Sequence, residues 1–137
     1  MDEREIQAHV DRVRRLQAWR EERAASTHVP EAKRSSFVLY HRTGWEAAER
    51  ILARGFTDAT GTYMTGEEHT GVFVSDVPLD TGQGAASNDV LLRVHIEADA
   101  VAEFEWVQEG SYREWCVPAA LLNGRGMVEV VDEDAED

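Results

Sequence analysis

The chain has 137 residues, enough for one domain around one hydrophobic core. Fourteen Lys/Arg stand against 27 Asp/Glu, a formal net charge of −13, and a body this acidic repels phosphate backbones, which argues against broad nucleic-acid binding. No run of about 18 apolar residues occurs, so no membrane span is expected.

The charge is unevenly placed. Residues 1–35 hold eight Lys/Arg and seven Asp/Glu, whereas the remainder holds six Arg and twenty Asp/Glu. That leaves room for a local basic site but not for an extended one. The opening "MDEREIQAHVDRVRRLQAWREER" is charged throughout and does not read as a secretory signal. A lone cysteine, Cys116, has no internal partner, which fits a reducing, cytoplasmic setting.

Residues 3–24 read as one amphipathic helix. Ile6, Val10, Val13, Leu16 and Trp19 recur at spacings of three and four and make one apolar stripe. Packing on the domain is the first expectation for it, and a second copy or a partner helix is the alternative. "ASTHVPEAKRSS" follows as a linker, so residues 1–35 form a helical and linker segment ahead of a domain at 36–131, with an acidic tail at 132–137.

"FVLYH" at 37–41 suits a strand by its β-branched and aromatic content. Thr43 and Glu46 have the spacing of a capping box for the next helix, "WEAAERILAR". Ala47, Ala48, Ile51 and Leu52 form that helix's apolar stripe, and Gly55 stops it. "TDATGTYMTGEEHTG" reads as a long loop, "VFVS" as a short strand, and "DVPLDTGQGAASND" as a second loop. "VLLRVHI" follows as a strand, "AEFEWV" and "REWCV" as two more, "PAALLNG" as a helical turn, and "MVEVV" as a last strand. There is no regular βαβ alternation, so the expected class is α+β with largely antiparallel sheets.

His9, His28, His41, His69 and His95 show no metal-ligand spacing, so no metal is expected. Cys116 sits inside a strand pattern and reads as a small packed side chain rather than an activated thiolate.

Three stretches in order carry a different signal. They are "YHRT…AAERILARGF", "GVFVSD" at 71–76 and "YREWCVP" at 112–118. Together they resemble the ADP-ribosyltransferase superfamily of the class whose three motifs centre on His, Tyr and Glu. The resemblance covers about residues 37–131. It implies a split pair of antiparallel sheets around a cleft that holds NAD as substrate, preceded here by the N-terminal amphipathic helix.

The same resemblance assigns roles. Glu114 would stabilise the ribosyl oxocarbenium, and His41 would position an NAD ribose. The backbone of Arg42 would clamp the nicotinamide carboxamide, and Thr43 would face the cleft. Phe73 stands where the family has Tyr, so the ring face is kept and the hydroxyl is lost. Ser75 closes the second motif, and Tyr63 or Tyr112 would supply a further ring. A residue with Gln or Glu two places before the catalytic Glu marks arginine modifiers, and Tyr112 holds that place here. The implied function is mono-ADP-ribosyl transfer, or NAD hydrolysis, toward a protein or small-molecule acceptor, in a toxin-like or modifying role. The alternative is a non-catalytic nucleotide- or protein-binding module of the same fold.

Overall fold

The computed structural model describes residues 2–34, 37–62, 68–78, 89–106 and 112–131. It opens with α1 (Glu3–Ser26), whose N-cap Asp2 accepts the Glu5 N–H at 2.9 Å and so satisfies one of the donors a helix start leaves free. Thr27 ends it. The Thr27 hydroxyl donates to the Arg23 carbonyl at 2.6 Å and accepts the Val130 N–H at 2.8 Å, which ties the helix to the last strand. Only the second half of the apolar stripe is used. Leu16 and Trp19 are buried in the common core, whereas Ile6 and Val13 are 50% and 37% exposed. The helix therefore shares its core with the domain it precedes.

The domain follows as β1 (Val38–Gly44), α2 (Trp45–Arg54), β2 (Ala59–Thr62), β3 (Glu68–Ser75), β4 (Asp89–His95), α3 (Ala98–Val101), β5 (Glu105–Trp106), β6 (Glu114–Val117), α4 (Ala119–Arg125) and β7 (Met127–Val131). The strand order is β5-β6-β3-β1-β4-β7, with β2 paired to β3 off that path. Every pairing among the described residues is antiparallel. The class is α+β, as the sequence implied. Leu39, Val74, Leu92, Val94, Trp115 and Val130 are buried on one face of the sheet, and the alternation of side chains along each strand puts them there together.

Three local expectations are corrected. Thr43 is not an N-cap: β1 keeps pairing with β4 as far as Gly44↔Asp89, so the chain stays extended past Thr43 and α2 starts behind Gly44 with no side-chain cap. The "TDATG…EEHTG" stretch is not all loop, because Ala59–Thr62 pairs with Glu68–Gly71. Its Thr and Gly residues gave no alternation to read, and the ladder comes from tertiary pairing. "AEFEWV" is strand only at Glu105–Trp106, and the residues before it turn helically around the fully buried Val101.

The sheet divides at one seam. β1 and β4 share seven register positions, from Val38↔His95 to Gly44↔Asp89, but β1 and β3 share only Tyr40↔Ser75 among the described residues. β3 changes partner along its length, pairing with β2 over Glu68–Gly71 and with β6 over Val72–Ser75. Gly71 is the changeover residue. Its φ is 156°, and a Cβ there would lie 2.9 Å from the Val117 carbonyl oxygen and 3.0 Å from Cys116 Sγ. Glycine is the residue that lets the strand cross so close to β6.

A second glycine fixes the end of α2. Gly55 has φ 93° and ψ 173°, a region open essentially to glycine alone. The turn it makes is held from α4: Asn123 Oδ1 accepts the Phe56 N–H at 2.7 Å, and its Nδ2 donates to the Phe56 carbonyl at 3.0 Å. Asp58 accepts the Ala119 N–H at 2.8 Å and caps α4. Gly55→Ala is expected to destabilise the fold by about 1–3 kcal/mol, from backbone strain and the clash with the Asn123 amide. Urea unfolding checks this, and a change below about 0.5 kcal/mol, the scale of a neutral surface substitution, would contradict it.

Candidate functional site

At the seam a side chain of β1 reaches the backbone of β3. His41 Nδ1 lies 2.9 Å from the Phe73 oxygen. A carbonyl only accepts, so Nδ1 carries the proton and donates. Phe56, pinned by Asn123, meets the His41 ring edge-on, with centroids 5.6 Å apart and planes at 80°. The imidazole is thus fixed from two sides.

Burial pushes His41 below the ordinary imidazole range, and the bond to Phe73 offsets this only in part. The ring is neutral near pH 7, with Nδ1–H engaged and Nε2 left as an acceptor. That tautomer suits a sugar hydroxyl or another donor.

Next to the ring is a hollow of about 530 Å³, within the roughly 300–1,000 Å³ usual for small-molecule sites. β1 contributes His41 and Thr43, β3 contributes Gly71, Val72 and Phe73, and α2 forms the outer wall. The structure therefore brings three of the sequence-predicted residues, His41, Thr43 and Phe73, to one place.

No protein family, curated protein or solved structure matches the chain.

The remaining predicted residues lie around the hollow or beyond it. Arg42 is half-buried on β1 and is not part of the lining. Ser75 and Glu114 are register partners, in a row with Tyr40 across β1, β3 and β6. Both are buried, at 4% and 7% exposure, two residues along β3 from Phe73 and outside the hollow's lining. The Ser75 hydroxyl donates to the Val77 carbonyl at 2.8 Å, which starts the turn after β3. Tyr112 is half-buried just before β6. Tyr63 lies outside the described residues.

Cys116 pairs with Phe73 in register. Burial, with Asp58 and Glu114 nearby, pushes its thiol up, so it is a poor nucleophile. Among the described residues no cluster of three or more His, Cys, Asp or Glu side chains is arranged to hold a metal ion.

Sequence reasoning missed Phe56, Asn123, Arg50 and Arg54. The arginines were legible as an i, i+4 pair on the polar side of α2, but nothing said which cavity that side would face. Asn123 gave no signal, because its two bonds to Phe56 span 67 positions of the chain.

A proton on His41 costs its burial energy in the folded chain and nothing in the unfolded one. The folded value lies below the ordinary 6.5, so the unfolded state protonates first as pH falls and stability drops below about pH 6.5. Against His41→Gln, the wild type should lose more stability between pH 7 and pH 5. Parallel stability curves for the two proteins would contradict the assignment.

Proposed function

We propose that the chain is an NAD-dependent mono-ADP-ribosyltransferase, acting as an NAD glycohydrolase when water is the acceptor. The observation that carries this reading is the hollow at the β1/β3 seam, with a neutral, oriented His41 on its wall. Its support is topological as well. The three motif segments are separated by about 30 and 40 residues in sequence, yet they fall on three consecutive neighbours, β1, β3 and β6. The resemblance implied a split pair of antiparallel sheets; the structure has one antiparallel sheet, in which β3 and β1 share only Tyr40↔Ser75 among the described residues.

The reading assigns these groups the following chemistry. Breaking the nicotinamide–ribose C–N bond sends its electron pair to the pyridinium nitrogen, which leaves as neutral nicotinamide. The ribose carbon is left oxocarbenium-like, as in glycoside cleavage. A nucleophile of the acceptor forms the new bond to that carbon and loses its proton. His41 Nε2 would accept from a ribose hydroxyl and set the pose. Phe73 would offer a ring face to the nicotinamide. The reading requires the reacting ribose to reach Glu114, which shares a face of the sheet with Ser75 and Tyr40 and stands outside the hollow's lining. A carboxylate there stabilises the cationic carbon, and such preorganised charge is commonly the largest single contribution to a rate.

A second reading is a nucleotide-binding module without turnover. Two observations favour it: Phe73 lacks the family's hydroxyl, and Glu114 is outside the lining of the hollow.

Incubation of the purified chain with NAD, following nicotinamide release, separates the two. The enzyme reading predicts release that Glu114→Gln lowers by about 100-fold or more with binding retained, and a weaker NAD affinity for His41→Ala. NAD binding without release would favour the module. Neither binding nor release would overturn both.

A further inference from the structure

The charges around the hollow are unlike those of the rest of the domain. After residue 35 the chain holds six arginines against twenty acidic residues. Arg93 pairs with Glu129, Arg113 with Glu105 and Arg125 with Glu97, and Arg42 has interactions of its own. The other two, Arg50 and Arg54, both line the hollow. Neither forms an ion pair among the described residues. No Asp or Glu among the described residues lines it.

The two arginines stand four apart on α2, one turn of helix, so they share a face with Cβ atoms about 6 Å apart. Like charges at that spacing repel and weaken a helix by a small amount, and an anion between them removes the repulsion. Both are exposed, which puts them at the lip of the hollow, while His41, Thr43 and Phe73 form its inner wall. Glu46 and Glu49 share neighbouring grooves with Arg50, and one of those with Arg54 as well, yet among the described residues neither carboxylate forms an ion pair with either arginine and neither lines the hollow; Asp58 caps α4. A guanidinium offers a planar fork of donors that matches phosphate oxygens, and two such forks over a cavity with no acidic group among its described lining residues select an anionic ligand from a surface that otherwise repels one.

We propose that Arg50 and Arg54 form a phosphate clamp that holds the diphosphate of the dinucleotide at the lip of the hollow. This rests on the nucleotide reading above. It makes the two arginines positioning residues that recognise the ligand's charge while His41 recognises its sugar.

The test is titration calorimetry of the full chain with ADP-ribose and, separately, with inorganic pyrophosphate, at two salt concentrations. The wild type is compared with Arg50→Gln/Arg54→Gln and with Arg50→Lys/Arg54→Lys, each checked for fold by circular dichroism. The clamp predicts ADP-ribose binding at least tenfold weaker in the Gln pair, a flattened salt dependence, and partial recovery in the Lys pair. ADP-ribose binding unchanged in the Gln pair would overturn the clamp and leave the nucleotide reading intact. Pyrophosphate binding that depends on the arginines, with no binding of ADP-ribose, would keep the phosphate clamp and overturn the nucleotide reading. Wild type that binds neither probe would overturn both.

Discussion

One hydrogen bond, from His41 Nδ1 to the Phe73 carbonyl at 2.9 Å, stands at the seam where β1 and β3 share one register position among the described residues. A buried carbonyl gains from a donor, and here a side chain supplies one across the seam. The ring is held in one tautomer, its second nitrogen is left to accept, and the hollow lies beside it. The geometry of the site is a consequence of the seam.

The seam is in turn enforced by glycines and by α4. Gly71 lets β3 exchange β2 for β6 while passing within contact distance of Val117. Gly55 turns the chain out of α2 so that Phe56 returns under His41, and the Asn123 amide grips the backbone of Phe56 at both N–H and C=O. The support thus runs from α4 to Phe56, from Phe56 to His41, and across the seam to Phe73. On the far side of the sheet a separate buried group anchors the residues after α1. His95 bonds to Glu129, and Arg93 and Arg34 also approach that carboxylate. Burial pushes Glu129 up, but these partners together hold its carboxyl below the ordinary range.

Much of this was legible in the sequence where periodicity was strong. The helix at Trp45–Arg54 and the strands at Val38, Asp89 and Met127 follow from apolar spacing and from Gly55 as a stop. The candidate residues His41, Thr43 and Phe73 were legible from motif order, and they meet in one hollow. Other features depend on contacts distant in sequence. β2 is a Thr/Gly stretch made a strand by its pairing with β3, and Thr43 lost its capping role because β4 continues the ladder past it. Glu114 was expected to line the same NAD cleft as His41. Register instead sets it with Ser75 and Tyr40, outside the hollow's lining, a relation fixed by how three strands align. The apolar stripe of α1 was equally clear, but only the fold determines that Leu16 and Trp19 are covered while Ile6 and Val13 are not.

The central claim is that His41 presents a neutral ring to a nucleotide at the seam. Long-range ¹H–¹⁵N spectra of the histidine side chains, recorded with and without ADP-ribose, test it most directly. The account predicts a neutral His41 with the proton on Nδ1 in the free protein and a shift of its Nε2 signal on addition of the ligand. A charged ring, the opposite tautomer, or an Nε2 signal unmoved at saturating ADP-ribose would contradict it.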